Sequence, residues 1–163
     1  LESREDIVID VFDSVVSEAA PTIDTEQRER LWNFFVDVLV EFLDSELWKH
    51  IQAADSVHVE KSIDGLVTTI DLEVEVSGQA DIVIDLPSGE RVVTDIKIAL
   101  ADPTDTTQDR YDLQVSSYEY SLDRQKVSSQ PVRATIETFG VHRETVTASW
   151  HPEIIEFRIR NLD

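Results

Sequence analysis

The stretch GQADIVIDLPSGERVVTDIKIAL, residues 78–100, decides which fold this chain can adopt. Two apolar segments, residues 80–86 and 91–100, lie on either side of Pro87-Ser88-Gly89, a tripeptide typical of a tight turn. Each segment has the length of a strand, and the second is apolar enough to be buried on both faces. We therefore predict two adjacent antiparallel strands within a sheet.

Three of the charged residues inside these predicted strands are candidates for a functional site. The hairpin brings Asp81 and Asp95 to the same end of neighbouring strands, and Asp95 and Lys97 project together because residues i and i+2 share a face. An unpaired charge inside an apolar strand is costly, and Lys97 is one of only four lysines in the chain. Two carboxylates with the backbone carbonyl of Ile96 would suit a hard divalent cation such as Mg²⁺. The alternative is that Asp95 and Lys97 form a surface cross-strand ion pair in a very acidic protein.

The preceding residues predict two helices followed by strands. Apolar positions recur at helical spacing over residues 4–20 and 25–53, with Thr25 as the N-cap and a break near Asp44-Ser45. The pattern then changes to alternation. We predict strands at 57–63 and 66–76, a hairpin turn at Asp64-Gly65 and a break or bulge at Ser77-Gly78.

The following residues predict one more helix and further strands. Residues 101–109 form a polar loop, and residues 110–124 form a helix on which Gln114 and Tyr118 share a face. Strands are expected at 132–139, 145–150 and 154–159. The fold class is thus α+β or mixed α/β, and we expect residues 1–163 to form one domain.

Composition excludes several classes of protein. The chain has 163 residues, 41% hydrophobic, so a disordered chain is excluded, and its apolar runs are too short for a membrane span. Cysteine is absent, which excludes disulfides, thiolate zinc sites and an iron–sulfur cluster. Methionine is also absent, and we interpret the sequence as a fragment of a longer protein.

The charge is strongly negative. There are 34 acidic and 14 basic residues, a net charge of −20, spread along a chain with an ordinary share of core residues. This balance favours a protein from a salt-adapted organism, where molar salt shortens the Debye length to about 3 Å. For that reason the charge does not exclude nucleic acid as a partner.

Three segments together resemble a known family. Residues 78–83 (GQADIV), residues 93–97 (VTDIK) and the Tyr111-x-x-Gln114-x-x-x-Tyr118 pattern are similar to motifs of RecB-like nucleases in the PD-(D/E)xK superfamily, with similar domains at the C-terminus of UvrD/AddA-type helicase–nucleases. The resemblance implies a restriction-endonuclease-like fold, a central mixed sheet flanked by helices. It also implies a cytoplasmic Mg²⁺- or Mn²⁺-dependent exonuclease of DNA repair that acts on single-stranded DNA beside a helicase motor. The acidic composition adds the expectation that its source is a haloarchaeon.

The resemblance also implies roles for individual residues. Asp81, Asp95 and the Ile96 carbonyl would bind the metal, Lys97 would position the attacking water and stabilise the scissile phosphate, and three residues of the helix would hold DNA or support the site: Tyr111, Gln114 and Tyr118. The family's usual histidine on the first helix is missing, and Asp10 or Asp13 would be the substitute ligand.

Two other functions remain open. Without that histidine, the fold could be a degenerate nuclease that only binds DNA or a partner subunit, or the chain could be an acidic interaction domain. The four histidines have no metal-site spacing, and the chain has no Gly-rich phosphate loop and therefore no helicase motor of its own.

Overall fold

A computed structural model of the chain describes residues 4–68, 73–125 and 131–148. The elements in order are α1 (Arg4–Ala19), α2 (Thr25–Leu43), α3 (Glu46–Ala53), β1 (Ser56–Thr68), β2 (Glu73–Asp85), β3 (Arg91–Ala99), α4 (Asp105–Gln125), β4 (Val132–Gly140) and β5 (Glu144–Thr147). The chain divides into two compact units, Leu1–Glu41 and Phe42–Asp163. No helix in the described ranges is long and apolar enough to cross a membrane.

The second unit contains one mixed sheet of five strands in the order β1-β2-β3-β4-β5. The first three strands form an antiparallel meander, β4 returns parallel to β3, and β5 pairs antiparallel with β4. A parallel return needs a crossover connection, which here contains α4. The predicted fold class, a mixed sheet with flanking helices, is confirmed.

The predicted turn at Asp64-Gly65 and the predicted break or bulge at Ser77-Gly78 are wrong. All four residues lie in the regularly paired part of the β1–β2 ladder, with Asp64 opposite Ser77 and Gly65 opposite Val76. Neither glycine position has room for a side chain. A Cβ on Gly65 would lie 2.2 Å from the Cβ of Ser121, and one on Gly78 would lie 2.5 Å from the hydroxyl of Tyr118. Each glycine lets α4 approach the sheet closely.

The sheet is covered by helices on both faces. On one face, Val115 and Tyr118 of α4 pack in a buried cluster with strand residues such as Val83, Val93 and Ile136. On the other face, Leu47 of α3 packs with Ile84 and Val92. Since Val92 and Val93 belong to opposite clusters, β3 is buried on both sides, as its continuous apolar sequence predicts.

The first unit contains α1 and most of α2. Phe12 of α1 is buried, and its ring packs edge-on against Trp32 of α2 with centroids 5.0 Å apart. The predicted N-cap Thr25 is wrong by one residue. Asp24 Oδ1 accepts from the backbone N–H of Gln27, and Gln27 Oε1 accepts from the N–H of Asp24, a reciprocal capping box.

Other boundaries differ only slightly from the predictions. The break near Asp44-Ser45 is confirmed, since Ser45 is the N-cap of α3 and accepts from the N–H of Trp48. The predicted start of α4 at residue 110 is five residues late: Thr104 accepts a hydrogen bond from the N–H of Thr107, and the helix begins at Asp105. The predicted strand at 154–159 and the end of the one at 145–150 lie outside the described residues.

Candidate active site

Two carboxylates meet where β2 and β3 separate. The regular β2–β3 ladder ends at the pair Ile82 and Thr94. Beyond it, the N–H of Ile96 donates to Asp81 Oδ2 at 2.7 Å, and the N–H of Asp81 donates to Asp95 Oδ1 at 3.4 Å. Each aspartate side chain therefore binds the backbone of the other strand, and the two carboxylates are held next to each other.

Asp95 is buried, with 3% of its surface exposed. Two side chains offset the cost of that burial. Lys97 Nζ lies 3.2 Å from Asp95 Oδ2, and the side-chain amide of Gln114 donates to the same oxygen. A buried carboxylate is tolerated only when it is paired and hydrogen-bonded, so the ammonium and the amide are part of what keeps Asp95 at this position.

Helix α4 closes the site from one face of the sheet. Gln114 Nε2 lies 3.3 Å from the hydroxyl of Tyr118, as their four-residue spacing predicts. Tyr118 lies against Gly78 of β2. Burial is the largest effect on the Tyr118 phenol, and it raises the pKa. The nearby Asp95 carboxylate also raises this pKa, while the hydrogen bond with Gln114 lowers it. The hydroxyl is therefore neutral at ordinary pH.

Strand β2 changes phase at Asp81. Ala80 and Val83 both belong to the cluster beneath α4, whereas Ile82 and Ile84 pack towards α3. In a regular strand, Ala80, Ile82 and Ile84 would share one face. The strand therefore rotates by one residue at Asp81, and the backbone of Glu60 on β1 has a positive φ of 53° at the same level.

The structure thus brings together five of the residues predicted from the sequence: Asp81, Asp95, Lys97, Gln114 and Tyr118. Tyr111 is half-buried and packs against the cluster beneath α4. In the first compact unit, Asp13 forms an ion pair with Arg28, and Asp10 is exposed. The left-handed backbone of Glu60 could not be predicted from the sequence, because a glutamate in an alternating strand gives no signal of that conformation.

The donor set fits a hard divalent cation. Asp81, Asp95 and the Ile96 carbonyl supply only oxygen, and Mg²⁺ is commonly bound by one or two carboxylates with several waters. Within residues 4–68, 73–125 and 131–148, no group of three or more His, Asp or Glu side chains has the arrangement of a metal site. A cation here would therefore complete its coordination with water and substrate oxygens.

Comparison with known proteins gives one family. A model described as the PD-(D/E)XK nuclease superfamily matches residues 2–162. No curated protein matches the chain. Among solved structures, the protein SSO0001 is 12% identical with a TM-score of 0.44, over 91% of this chain and 67% of its own. A proposed exonuclease from Eubacterium rectale is 12% identical with a TM-score of 0.45, over 94% of this chain and 59% of its own.

Proposed function

Since the chain belongs to the PD-(D/E)XK nuclease superfamily, we propose that it hydrolyses phosphodiester bonds of DNA at the Asp81–Asp95 pair, with Mg²⁺ or Mn²⁺ as cofactor. The observation that carries the proposal is the reciprocal bonding of these two carboxylates across the end of the β2–β3 ladder, with the Lys97 ammonium beside Asp95. Two carboxylates that can bind a divalent cation, with an ammonium group beside them, are suited to the hydrolysis of a phosphodiester bond.

Asp81, Asp95 and the Ile96 carbonyl would hold the cation. When bound, a divalent cation lowers the pKa of a coordinated water and offsets negative charge on the phosphate. The protein's part is to keep the carboxylates in place before the substrate arrives. The bonds from the Ile96 and Asp81 amides do this, because backbone donors in a sheet have little freedom to move.

Lys97 has the position to act on the substrate. About a third of its side chain is exposed, at 35%, whereas that of Asp95 is 4% exposed. A fixed ammonium next to the scissile phosphate would orient the attacking water and stabilise charge that develops in the transition state. Gln114 would hold Asp95, and Tyr118 and Tyr111 would support the site or contact the DNA strand.

The finer assignment rests on the resemblance of three motifs to RecB-like nucleases. We propose an exonuclease of DNA repair or recombination in a haloarchaeal cytoplasm, acting on single-stranded DNA. The strand would come from a UvrD/AddA-type helicase motor in the same chain or complex. High salt would remove the repulsion between DNA and a protein of net charge −20.

Cleavage of end-labelled single-stranded DNA in molar KCl with Mn²⁺ tests the proposal. Asp95→Asn should abolish cleavage, because it removes a charge from the proposed metal site. Lys97→Gln should lower the rate by roughly 10²–10³, the usual effect of deleting one electrostatic group at a reacting centre.

Two matched variants serve as controls. Glu75→Gln removes a charge from an exposed position of β2, and Lys49→Gln removes an exposed lysine that pairs with Glu46. Both should cleave like the wild type. Equal cleavage by Asp95→Asn and the wild type would contradict the assignment of the site.

A second function has one observation in its favour. The described residues place two carboxylates at the site and no third acidic or histidine ligand beside them. A catalytically degenerate fold that binds DNA or a partner subunit would have this appearance. Calorimetric titration with Mn²⁺ separates the two functions: a nuclease must bind the ion in a manner that Asp95→Asn removes, whereas a binding module has no such requirement.

A further inference from the structure

Glu60 has an unusual backbone for its place in the fold. Among the described residues, it is the one non-glycine residue with a positive φ, at 53°. L-amino acids rarely adopt this left-handed region, and glycine, asparagine and aspartate are the residues that tolerate it best. Glu60 nevertheless occupies it in the middle of β1, where extended backbone is expected. Such outliers persist only where the surrounding structure enforces them, and they cluster at functional sites.

The outlier coincides with a gap in the β1–β2 ladder. Val59 pairs with Ile82, and Lys61 pairs with Ala80, but Glu60 and Asp81 between them do not pair. The carbonyl of Glu60 instead accepts a hydrogen bond from the side-chain amide of Gln79, at 3.3 Å. The register is the same on both sides of the gap, so neither strand has gained a residue.

The rotation of β2 begins at this gap. On one side of it, Gly78 and Ala80 face α4; on the other side, Val83 faces α4 and Ile82 faces away from it. An uninterrupted strand would keep Ala80 and Ile82 on one face. Strand β1 stays paired with β2 in the same register beyond this change of phase, and its left-handed residue lies at the level where the change occurs.

The rotation has a direct consequence for Asp81. Because Asp81 lies at the step, its side chain reaches along the sheet to β3 and accepts the N–H of Ile96 at 2.7 Å. That contact places its carboxylate beside Asp95. With Asp81 in regular extended pairing, its side chain would stand perpendicular to the sheet.

We infer that Glu60 is a positioning residue: its left-handed backbone rotates the β1–β2 pair at Asp81 and so directs the Asp81 carboxylate to Ile96 and Asp95. The importance of that geometry for cleavage rests on the proposed function. The exposed carboxylate of Glu60 is not required. The residue acts through its backbone, and any residue that accepts a positive φ can replace it.

Four variants test the inference. Glu60→Gly accepts a positive φ without strain, Glu60→Gln keeps the shape of the side chain without its charge, and Glu60→Val is β-branched and favours extended backbone. Glu75→Val makes the same side-chain change at an exposed position of β2 and is the control. Two quantities are measured: solvent exchange of the Ile96 amide by NMR without metal, and the affinity for Mn²⁺ by calorimetry.

The expected result is specific to Glu60→Val. Its Ile96 amide should exchange faster, and its Mn²⁺ affinity should fall by about 10-fold or more, the usual effect of losing a group that orients a metal ligand. The other three variants should match the wild type in both measurements. If Glu60→Gln loses Mn²⁺ affinity as Glu60→Val does, the carboxylate is itself the functional group and the inference is wrong.

The two readouts separate this inference from the proposed function. A wild type that binds no Mn²⁺ contradicts the proposed function, and the Ile96 amide still tests the positioning role. An Ile96 amide that is unchanged in Glu60→Val overturns the inference whatever the metal does. If Glu60→Val does not fold, Glu60→Thr replaces it, because threonine is polar but is also β-branched and favours extended backbone. Equal amide exchange in Glu60→Thr and Glu60→Gly then overturns the inference.

Discussion

Asp95 is a buried charged residue of β3, and two local periodicities predict part of its surroundings. Lys97 lies two residues along the same strand and contacts Asp95 on one face. Gln114 and Tyr118 lie one helical turn apart, and the Gln114 amide contacts the Tyr118 hydroxyl. The contact of the same amide with Asp95 joins α4 to β3, and it was expected from the resemblance of the three motifs to a nuclease family.

The bond between Asp81 and the Ile96 amide could not be anticipated in the same way. This bond depends on a rotation of β2 that departs from the regular alternation of a strand. It also coincides with the left-handed backbone of Glu60, a conformation that a glutamate in the sequence does not indicate. Periodicity and the resemblance to a nuclease family therefore predicted which residues meet, but not which atoms hold Asp81.

Glu137 of β4 gives a prediction about pH. Burial raises the pKa of its carboxyl above the ordinary value of 4.5, and the hydrogen bond from the Thr145 hydroxyl and the nearby Arg143 charge only partly oppose this. The folded state therefore binds the proton more tightly than the unfolded state. Its contribution to stability is complete below pH 4.5 and is lost as the pH rises through the raised folded pKa.

Glu137→Gln removes this titration and keeps an oxygen that can accept from Thr145. The variant should gain stability relative to the wild type between about pH 5 and pH 8. Urea unfolding at the two pH values measures the difference. Glu75→Gln, exposed on β2, should show no such trend. A stability difference between Glu137→Gln and the wild type that is the same at both pH values would contradict this account.

At the level of elements, a glycine can mark a turn, or it can lie within a strand where a helix packs closely, and a single sequence does not distinguish these two roles. Asp64-Gly65 and Ser77-Gly78 have the composition of turns, and the prediction divided two strands at these points. The structure has two continuous strands, β1 and β2, of 13 residues each. Gly65 and Gly78 lie beneath α4, at Ser121 and Tyr118. Close packing of a helix on a sheet, a tertiary contact, is the reason for both glycines.

Gly65→Ala tests this packing. Its Cβ would lie 2.2 Å from the Cβ of Ser121 and 3.3 Å from the Ser121 Cα, so β1 and α4 must separate. We expect a loss of about 1–3 kcal/mol in the free energy of unfolding, the usual cost of overpacking. Urea unfolding followed by circular dichroism measures it.

Ser121→Gly provides the second arm of a double-mutant cycle. Alone, it should cost about 1 kcal/mol, because glycine weakens a helix interior. The double variant lacks the serine Cβ, so the methyl group added by Gly65→Ala no longer clashes with it. The total loss in the free energy of unfolding should therefore be clearly smaller than the sum of the two single losses. Additive losses would mean that the Gly65–Ser121 contact does not limit the packing of α4.

For the whole molecule, charge is the dominant property. The net charge is −20 in 163 residues, and self-repulsion of this size destabilises a compact state in dilute buffer. Ion pairs such as Arg91 with Asp85 neutralise part of it locally, and the Arg91 hydrogen bond holds the pKa of Asp85 below its ordinary value. Basic residues are too few to neutralise the rest, so mobile ions must screen it.

The melting temperature should therefore rise by several degrees as KCl increases towards about 1 M, where the Debye length is about 3 Å, and then level off. Differential scanning calorimetry in KCl and in NaCl measures the rise. Both salts should have the same effect, since screening depends on ionic strength. A melting temperature that stays constant between dilute and molar salt would contradict the interpretation of the charge as salt adaptation.

The sequence by itself determined the element types, the mixed α/β class, the family motifs and the identity of the residues that meet at the site. The element types follow from periodicity, and the residues of the site follow from residue chemistry together with the resemblance of three motifs to a nuclease family; all of these are local properties of the chain. Only the tertiary structure decided the length of β1 and β2, the rotation at Asp81 and the conformation of Glu60. These depend on how α4 and three strands fit together, and contacts between residues distant in sequence leave no periodic signal.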